Sequence, residues 1–143
     1  MIFVDTSAWL AVYNVQDGNH APAVEHLREL LTGRAGRLVT TDFVLDESLT
    51  LIRKRAGSEV VREFTQRLAS SRSVQEIGVT PEHYRSALTM FLDQGPSAWS
   101  LTDCTSFVVM RELGIAAAFT FDADFRAAGF EVRPRDRRPA RKR

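Results

Sequence analysis

The chain has 143 residues, of which 44% are hydrophobic and 26% are charged. These are ordinary values for one globular domain, so the composition excludes a disordered chain, and no apolar run approaches the ~20 residues that a membrane span needs. The net charge of +1 conceals an asymmetry. Residues 133–143 carry seven Lys or Arg and one Asp, which leaves 12 basic and 17 acidic side chains, a net charge of −5, in residues 1–132.

Two further features bear on the compartment. The single cysteine, Cys104, excludes an internal disulfide and a multi-cysteine zinc site, and we expect it in the core. The N-terminus enters an apolar run directly at Met1, without the basic region or the cleavage site of a signal peptide. We therefore expect a cytoplasmic protein with one globular domain over 1–132 and a basic, disordered tail over 133–143.

Strands alternate with helices along the chain. In chain order the sequence predicts a strand over 1–5, helices over 8–13 and 22–31, a strand over 38–40, helices over 43–55 and from Ser58, a strand over 74–79, helices over 81–92 and 101–113, a strand over 116–120, a helical turn over 124–128 and an edge strand over 130–132. Ser58 is expected to cap its helix, and Pro81 to open the next one. This alternation is typical of an α/β fold with a parallel sheet covered on both faces.

Four acidic residues stand at the ends of apolar runs: Asp5, Glu47, Asp103 and Asp122. Open α/β sheets keep their functional sites at the carboxyl ends of parallel strands. Four carboxylates gathered there would repel one another unless a divalent cation stood among them, and hard oxygen ligands select Mg²⁺ or Mn²⁺. The pattern therefore predicts metal-dependent phosphodiester chemistry.

Each of these acids also has a structural explanation. Asp5 stands where a helix N-cap is expected, and Asp103 closes an S-x-x-D capping box. Asp122 suits a turn after a strand, with Asp124 as either a fifth ligand or a helix cap. Glu47 differs because it lies on an apolar helix face, where an unpaired charge is expensive. A fold that brings two strand ends and two helix starts to one edge favours the cluster over four separate caps.

Histidine and glycine patterns support no other chemistry. His20, His26 and His83 show no metal-binding spacing, and we expect them at the surface. The chain also lacks the glycine-rich loops that cradle nucleotide phosphates. These features leave the carboxylates as the main candidates for a reactive site.

Four segments resemble motifs of the PIN-domain ribonucleases of the VapC toxin type. They are residues 1–8 with their Asp-Thr-Ser, residues 41–47, residues 100–107 followed by Met110 and Gly114-Ile115, and residues 119–125 followed by 128–130. Each motif is short, but their order and spacing together are specific and cover residues 1–132. The resemblance implies a PIN-like three-layer fold, in which helices flank a central parallel β-sheet.

The resemblance also implies a Mg²⁺- or Mn²⁺-dependent endoribonuclease, the toxin of a toxin–antitoxin pair. Metal ligation would fall mainly to Asp5 and Asp103, within a catalytic site of four acids: Asp5, Glu47, Asp103 and Asp122. Three further residues would support this site: Thr6, Thr102 and Asp124. The implied partners are an RNA substrate, an antitoxin that blocks the site and a second copy of the chain in a homodimer, with no role for a membrane.

The basic tail lies outside the motifs. It is interpreted either as a solubilising segment or as an RNA-contacting arm whose grip weakens with salt. The arm would consist of seven side chains: Arg133, Arg135, Arg137, Arg138, Arg141, Lys142 and Arg143.

Two alternatives to the ribonuclease remain at this point. A catalytically silent PIN-like module would bind RNA or a protein partner without cleaving RNA, although the presence of all four acids argues against it. A haloacid-dehalogenase-like phosphatase also uses a strand-end aspartate. That chemistry normally requires a second Asp two residues later, and position 7 is Ser.

Overall fold

The computed structural model describes residues 1–135, which form five strands and seven helices. In chain order these are β1 (Ile2–Val4), α1 (Thr6–Tyr13), α2 (His20–Leu31), β2 (Leu38–Thr41), α3 (Asp42–Ala56), α4 (Ser58–Ser70), β3 (Val74–Ile77), α5 (Pro81–Asp93), α6 (Leu101–Glu112), β4 (Ala117–Phe119), α7 (Asp124–Ala127) and β5 (Glu131–Arg133). Five of the predicted RNA contacts lie outside the described residues: Arg137, Arg138, Arg141, Lys142 and Arg143.

All five strands form one parallel sheet, in the order β3-β2-β1-β4-β5. The strand β1 is central, and its Phe3 is paired with Val39 of β2 and with Ala118 of β4. The chain builds outward from β1 to β3 and then returns to β4 on the other side of β1. The order therefore reverses between β1 and β4, where open α/β sheets form a crevice at the strand ends. The predicted α/β fold with a parallel sheet is confirmed.

The three inner strands are buried along their whole length. Every residue of β1, β2 and β4 is buried, whereas the edge strands β3 and β5 are half-buried or exposed. Continuous apolar runs of this kind are typical of parallel strands covered on both faces. The core includes Phe107, whose ring meets that of Phe125 edge-on at 5.0 Å. Cys104 is fully buried, which confirms its predicted place in the core.

The connection between α3 and α4 corrects one prediction. Ser58 was expected to cap α4, but it is the first residue of that helix, and Gly57 occupies the N-cap position. Gly57 also ends α3, and it does so with φ 96°, a conformation that favours glycine. A single residue serves both helix ends, so no separate side-chain cap is used.

None of the three histidines is fully exposed, and the prediction of a surface position is most clearly wrong for His83 and His26. His83 is 8% exposed, and its Nδ1 accepts a hydrogen bond from the Thr80 N–H at 3.2 Å. Its Nε2 therefore carries the proton and donates to Glu112 of α6 at 2.7 Å. The side chain of His26 is 11% exposed and packs edge-on against Phe119 at 4.9 Å. Both imidazoles face the sheet or a neighbouring helix, a position that a lone histidine in a sequence does not reveal.

No helix within residues 1–135 is long and apolar enough to cross a membrane.

Candidate active site

The strand ends of β1 and β4 meet at the crevice where the strand order reverses. Asp5 follows β1 directly, is 4% exposed, and donates its backbone N–H to the Phe119 carbonyl at 3.0 Å. Asp122 follows the end of β4 by three residues and is half-buried. The fold thus places both predicted acids at the edge of the sheet where such sites are found.

Asp5 is held by a set of hydrogen bonds to one of its oxygens. Oδ2 accepts from the Ser7 N–H at 3.3 Å, from Ser7 Oγ at 2.8 Å and from Thr120 Oγ1 at 2.9 Å. Burial raises the pKa of Asp5, and the hydrogen bonds from Ser7 and Thr120 oppose that rise. Oδ1 takes no part in these three bonds.

The two hydroxyls that hold Asp5 also hold the loop after β4. Ser7 Oγ accepts from the Phe121 N–H at 2.9 Å, and Thr120 Oγ1 accepts from the Asp122 N–H at 3.0 Å. Each hydroxyl has one hydrogen, and both hydrogens are directed to Asp5, so the 3.0 Å contact between Ser7 Oγ and Thr120 Oγ1 is no further bond. The network fixes the position of Asp122 relative to Asp5.

Sequence reasoning missed Ser7 and Thr120. Two signals were available: each residue stands two positions from a predicted site acid, and each lies inside one of the segments that resemble PIN-domain motifs.

Three carboxylates come together in this crevice. One oxygen from each of Asp103, Asp122 and Asp124 lies within 4.8 Å of the other two. Asp103 comes from the first turn of α6, and Asp124 is the first residue of α7. Asp124 also donates its backbone N–H to Asp122 Oδ1 at 2.9 Å. Asp124 is therefore a member of the close carboxylate group, whereas the sequence predicted only a supporting role for it.

The capping function of Asp103 coexists with its place in the cluster. The Ser100 N–H donates to Asp103 Oδ2 at 2.9 Å, and the Asp103 N–H donates to Ser100 Oγ at 3.0 Å, which completes a capping box. The two explanations weighed for this residue are not exclusive, because the cap fixes the direction in which the carboxylate enters the crevice.

The electrostatics of the cluster are those of crowded like charges. Burial raises the pKa of Asp103 to about 6, with further increases from Asp5 and Asp122 and an opposing effect of the Ser100 N–H. The pKa of Asp124 is raised by burial and by Asp122. Within residues 1–135 no Arg, Lys or His forms an ion pair with any of four carboxylates: Asp5, Asp103, Asp122 and Asp124. The donor set is all oxygen, uncompensated and close, which fits a hard divalent cation.

Glu47 stands apart from the close carboxylates. It lies in the second turn of α3 and is half-buried. In the described part of the chain its carboxylate takes part in no hydrogen bond or ion pair, and it is not a member of the three-carboxylate group. The helix that carries Glu47 begins directly after β2, beside β1. Its part in the site stays a prediction.

Four of the predicted supporting and RNA-contacting residues have defined surroundings in the described chain. Thr6 Oγ1 is buried without a hydrogen-bond partner in the described chain. The carbonyl of Thr102 accepts from the hydroxyls of the two residues Thr105 and Ser106. Two of the basic side chains expected in the tail contact β5 instead: Arg133, the last residue of that strand, and Arg135 both form ion pairs with Glu131, at 3.1 and 2.8 Å.

The model of the PIN domain family matches residues 2–131. The chain belongs to the PIN-domain family. It is 38% identical over 136 residues to the 23S rRNA-specific endonuclease VapC20 of Mycobacterium tuberculosis, covering 94% of this chain and 99% of that protein. It is 29% identical over 124 residues to a VapC ribonuclease of Archaeoglobus fulgidus, covering 85% of this chain and 77% of the relative.

The fold agrees with a solved structure of the same group. The crystal structure of M. tuberculosis VapC20, described as a Sarcin-Ricin loop cleaving toxin, superposes with a TM-score of 0.81 and 34% identity, covering 91% of this chain and 96% of that chain. This PIN-domain chain is therefore an endoribonuclease of the VapC toxin type, an enzyme that hydrolyses RNA phosphodiester bonds. The predicted recognition, fold and enzyme class are confirmed, and the acidic cluster is of the kind that holds a divalent metal ion.

Proposed function

We propose that the chain cleaves 23S ribosomal RNA with one or more divalent ions, Mg²⁺ or Mn²⁺, held by Asp103, Asp122, Asp124 and Oδ1 of Asp5. The observation that carries the metal proposal is the approach of three carboxylate oxygens to within 4.8 Å of one another. No cationic side chain of residues 1–135 neutralises them. Glu47 is proposed to complete the acidic site from α3.

The residues of the chain prepare this site in different ways. When bound, the ion supplies an activated water nucleophile at neutral pH and positive charge for the crowded phosphate oxygens. Ser7 and Thr120 orient Asp5, and the capping box with Ser100 orients Asp103. Because the pKa of Asp103 is raised to about 6, protons compete with the ion at mildly acidic pH.

The substrate and the partners rest on the relatives. VapC20, which is similar to this chain over 99% of its length, is named as a 23S rRNA-specific endonuclease. Its crystal structure is described as that of a toxin that cleaves the sarcin–ricin loop. We extend that substrate to this chain, together with an antitoxin that places a basic side chain among the carboxylates and a homodimeric assembly. The buried thiol of Cys104 suits a reducing, cytoplasmic setting, where ribosomes are found.

Sequencing of RNA 5′ ends after induction of the chain in bacterial cells tests this function. The matched control is Asp5→Asn, which keeps the side-chain shape and the acceptor for Ser7 and Thr120 while removing the charge. New 5′ ends in the sarcin–ricin loop are expected for the wild type and not for the variant. New ends elsewhere in 23S rRNA or in other RNAs would refute the substrate, and equal patterns for both proteins would refute the site.

Calorimetry with Mn²⁺ tests the metal site separately from cleavage. The double variant Asp5→Asn plus Asp103→Asn is expected to lose the binding that the wild type shows. Equal Mn²⁺ binding by both proteins would contradict the assignment of the ligands.

A further inference from the structure

A cleft of about 440 Å³ opens beside the carboxylate group, between α2, the turn that joins β4 to α7, and the end of β5. Its volume falls in the range of pockets that hold small ligands, about 300–1,000 Å³. Thr120 and Asp122 line this cleft and also belong to the acidic site, so the two spaces are continuous. A strand of RNA positioned over the carboxylates has this cleft next to it.

The charges of the cleft are divided between its walls. The helix α2 contributes Glu25 and Glu29, whereas α7 contributes Arg126 and the chain after β5 contributes Arg135. Arg135 is paired with Glu131 at 2.8 Å. Arg126 is exposed and, among the residues of the described chain, forms no ion pair. It is therefore the available guanidinium, two residues beyond Asp124.

We propose that this cleft is the subsite for the nucleotide next to the scissile bond, and that Arg126 binds the phosphate of that nucleotide. The proposal rests on the proposed function, because it places the scissile phosphate at the carboxylate group. Residues 1–132 carry a net charge of −5, which repels an RNA backbone. The electrostatic attraction for a phosphate is therefore strongest where a cation interrupts the acidic surface. Arginine suits a phosphate because its planar fork donates two parallel hydrogen bonds.

The remaining lining residues orient the nucleotide. Glu25 and Glu29 repel a phosphate, so the backbone lies toward α7 and the base toward α2. Carboxylates accept hydrogen bonds from the amino groups of bases, and the half-buried ring of Phe121 offers a face for stacking. Contacts to phosphate fix the register of a nucleic acid, so Arg126 acts as a positioning residue that sets which bond meets the carboxylates.

Binding of RNA in the absence of cleavage is the first test. Fluorescence anisotropy with a short, labelled single-stranded RNA in EDTA compares the wild type with Arg126→Ala, Arg126→Lys and the control Arg62→Ala. Arg62 is an exposed residue of α4 that does not line the cleft. We expect Arg126→Ala to weaken binding about tenfold and to flatten the log–log salt slope by about 0.7, with Arg126→Lys intermediate and Arg62→Ala unchanged.

Cleavage of a modified substrate is the second test. A sarcin–ricin loop hairpin of 23S rRNA receives one neutral methylphosphonate, placed on either side of the cut in turn. If Arg126 binds one of these phosphates, neutralising it lowers kcat/KM about tenfold for the wild type and has no effect on Arg126→Ala. If the methylphosphonate at both positions lowered kcat/KM by the same factor in Arg126→Ala as in the wild type, the contact would be overturned. Thermal melts of all variants check that the fold is kept, and Arg126→Lys supplies the comparison if the alanine variant melts early.

The two tests separate this inference from the proposed function. A hairpin that the wild type does not cleave refutes the proposed substrate, while the binding test still decides on Arg126. Normal cleavage and unchanged RNA affinity in Arg126→Ala overturn the subsite and leave the function in place.

Discussion

The two sides of the central strand β1 hold their acids in different ways. On the β4 side, Asp5 is fixed by three hydrogen bonds to Oδ2, and the same hydroxyls anchor the backbone before Asp122. On the β2 side, the carboxylate of Glu47 has no hydrogen-bond or ion-pair partner in the described chain. The hydrogen bonds of the chain thus order Asp5 and the segment before Asp122, whereas none of them orders the carboxylate of Glu47.

This difference has an energetic consequence. A ligand that is held in place before the metal binds loses little side-chain entropy on binding, whereas a free glutamate loses more. The β4 side should therefore set the position of the metal, and Glu47 should adjust to it.

Loss of a carboxylate from the pre-ordered side should have the largest effect. Asp103→Asn keeps an acceptor for the Ser100 N–H, so the capping box and the helix should be retained. We expect the cleavage rate to fall by more than about 100-fold. Mutation of a residue that only orients a metal ligand already lowers metal affinity or activity about 10- to 100-fold, and loss of a ligand should cost more. A single-turnover cleavage assay with saturating Mn²⁺ measures it. Activity within a few-fold of the wild type would remove Asp103 from the site.

Breaking the hydroxyl network should have the next largest effect. Thr120→Val removes a donor to Asp5 and the acceptor for the Asp122 N–H while keeping the size of the side chain. Cleavage should fall about 10- to 100-fold and should not recover with excess Mn²⁺, because the ligands are misplaced. The control is Thr65→Val, an exposed hydroxyl on α4. Equal activity of the two variants would show that the network does not order the site.

Glu47→Gln should behave differently, since in the proposed site the ion, and not the protein, orders this carboxylate. In EDTA the melting temperature should be unchanged or higher, because one like charge is removed. The stabilisation by Mn²⁺ should be smaller, by about 1.4 kcal/mol for each tenfold loss of affinity at saturating metal. Thermal melts with and without Mn²⁺ measure both effects. A large loss of stability in EDTA would identify Glu47 as a structural residue.

The metal-free protein should lose stability as the pH rises through the range in which Asp103 ionises. Its pKa is raised from 3.8 to about 6 in the folded state, so between these values the folded chain binds more protons than the unfolded chain. The stabilisation that protonated Asp103 contributes to the folded state is fully present below pH 3.8 and is lost as the pH rises past about 6. Melts in EDTA should show that Asp103→Asn matches the wild type at the acidic end and exceeds it near neutral pH. A constant difference across this range would contradict the raised pKa.

Deletion of residues 136–143 should have the smallest effect on the chemistry. This segment holds five of the seven tail cations and no predicted metal ligand; its single acid, Asp136, is flanked by arginines. The truncated chain should cleave saturating RNA at the wild-type rate, with weaker binding and a flatter salt dependence. Unchanged affinity and salt slope would leave the tail as a solubilising segment.

The fold was largely predictable because its signals are local. Each predicted element is present, with ends that differ by at most two residues. The buried strand before Asp5, the Thr80-Pro81 helix start and the capping box that ends at Asp103 are all patterns within a few positions of sequence. The exception, Gly57 in place of Ser58, arose because two helices share one turn residue.

The site was predictable only in part, because its bonds join distant positions. The four acids could be chosen from strand ends and helix starts, and the grouping of Asp103, Asp122 and Asp124 then follows from the strand order. The bond from Thr120 to Asp5 spans 115 positions, and no periodicity or spacing marks it. The absence of a carboxylate partner for Glu47 in the described chain is likewise a property of the packed structure.

The link between Thr120 and Asp5 also makes the site a late product of synthesis. Ribosomes make the chain from its N-terminus, so Asp5 and Ser7 emerge long before Thr120, the second hydroxyl that orients Asp5. The central strand β1 lacks its β4 neighbour until that part of the chain follows, and the third carboxylate of the close group is Asp124. A nascent chain that still lacks Thr120, Asp122 and Asp124 therefore carries neither the second hydroxyl bond to Asp5 nor the close carboxylate group.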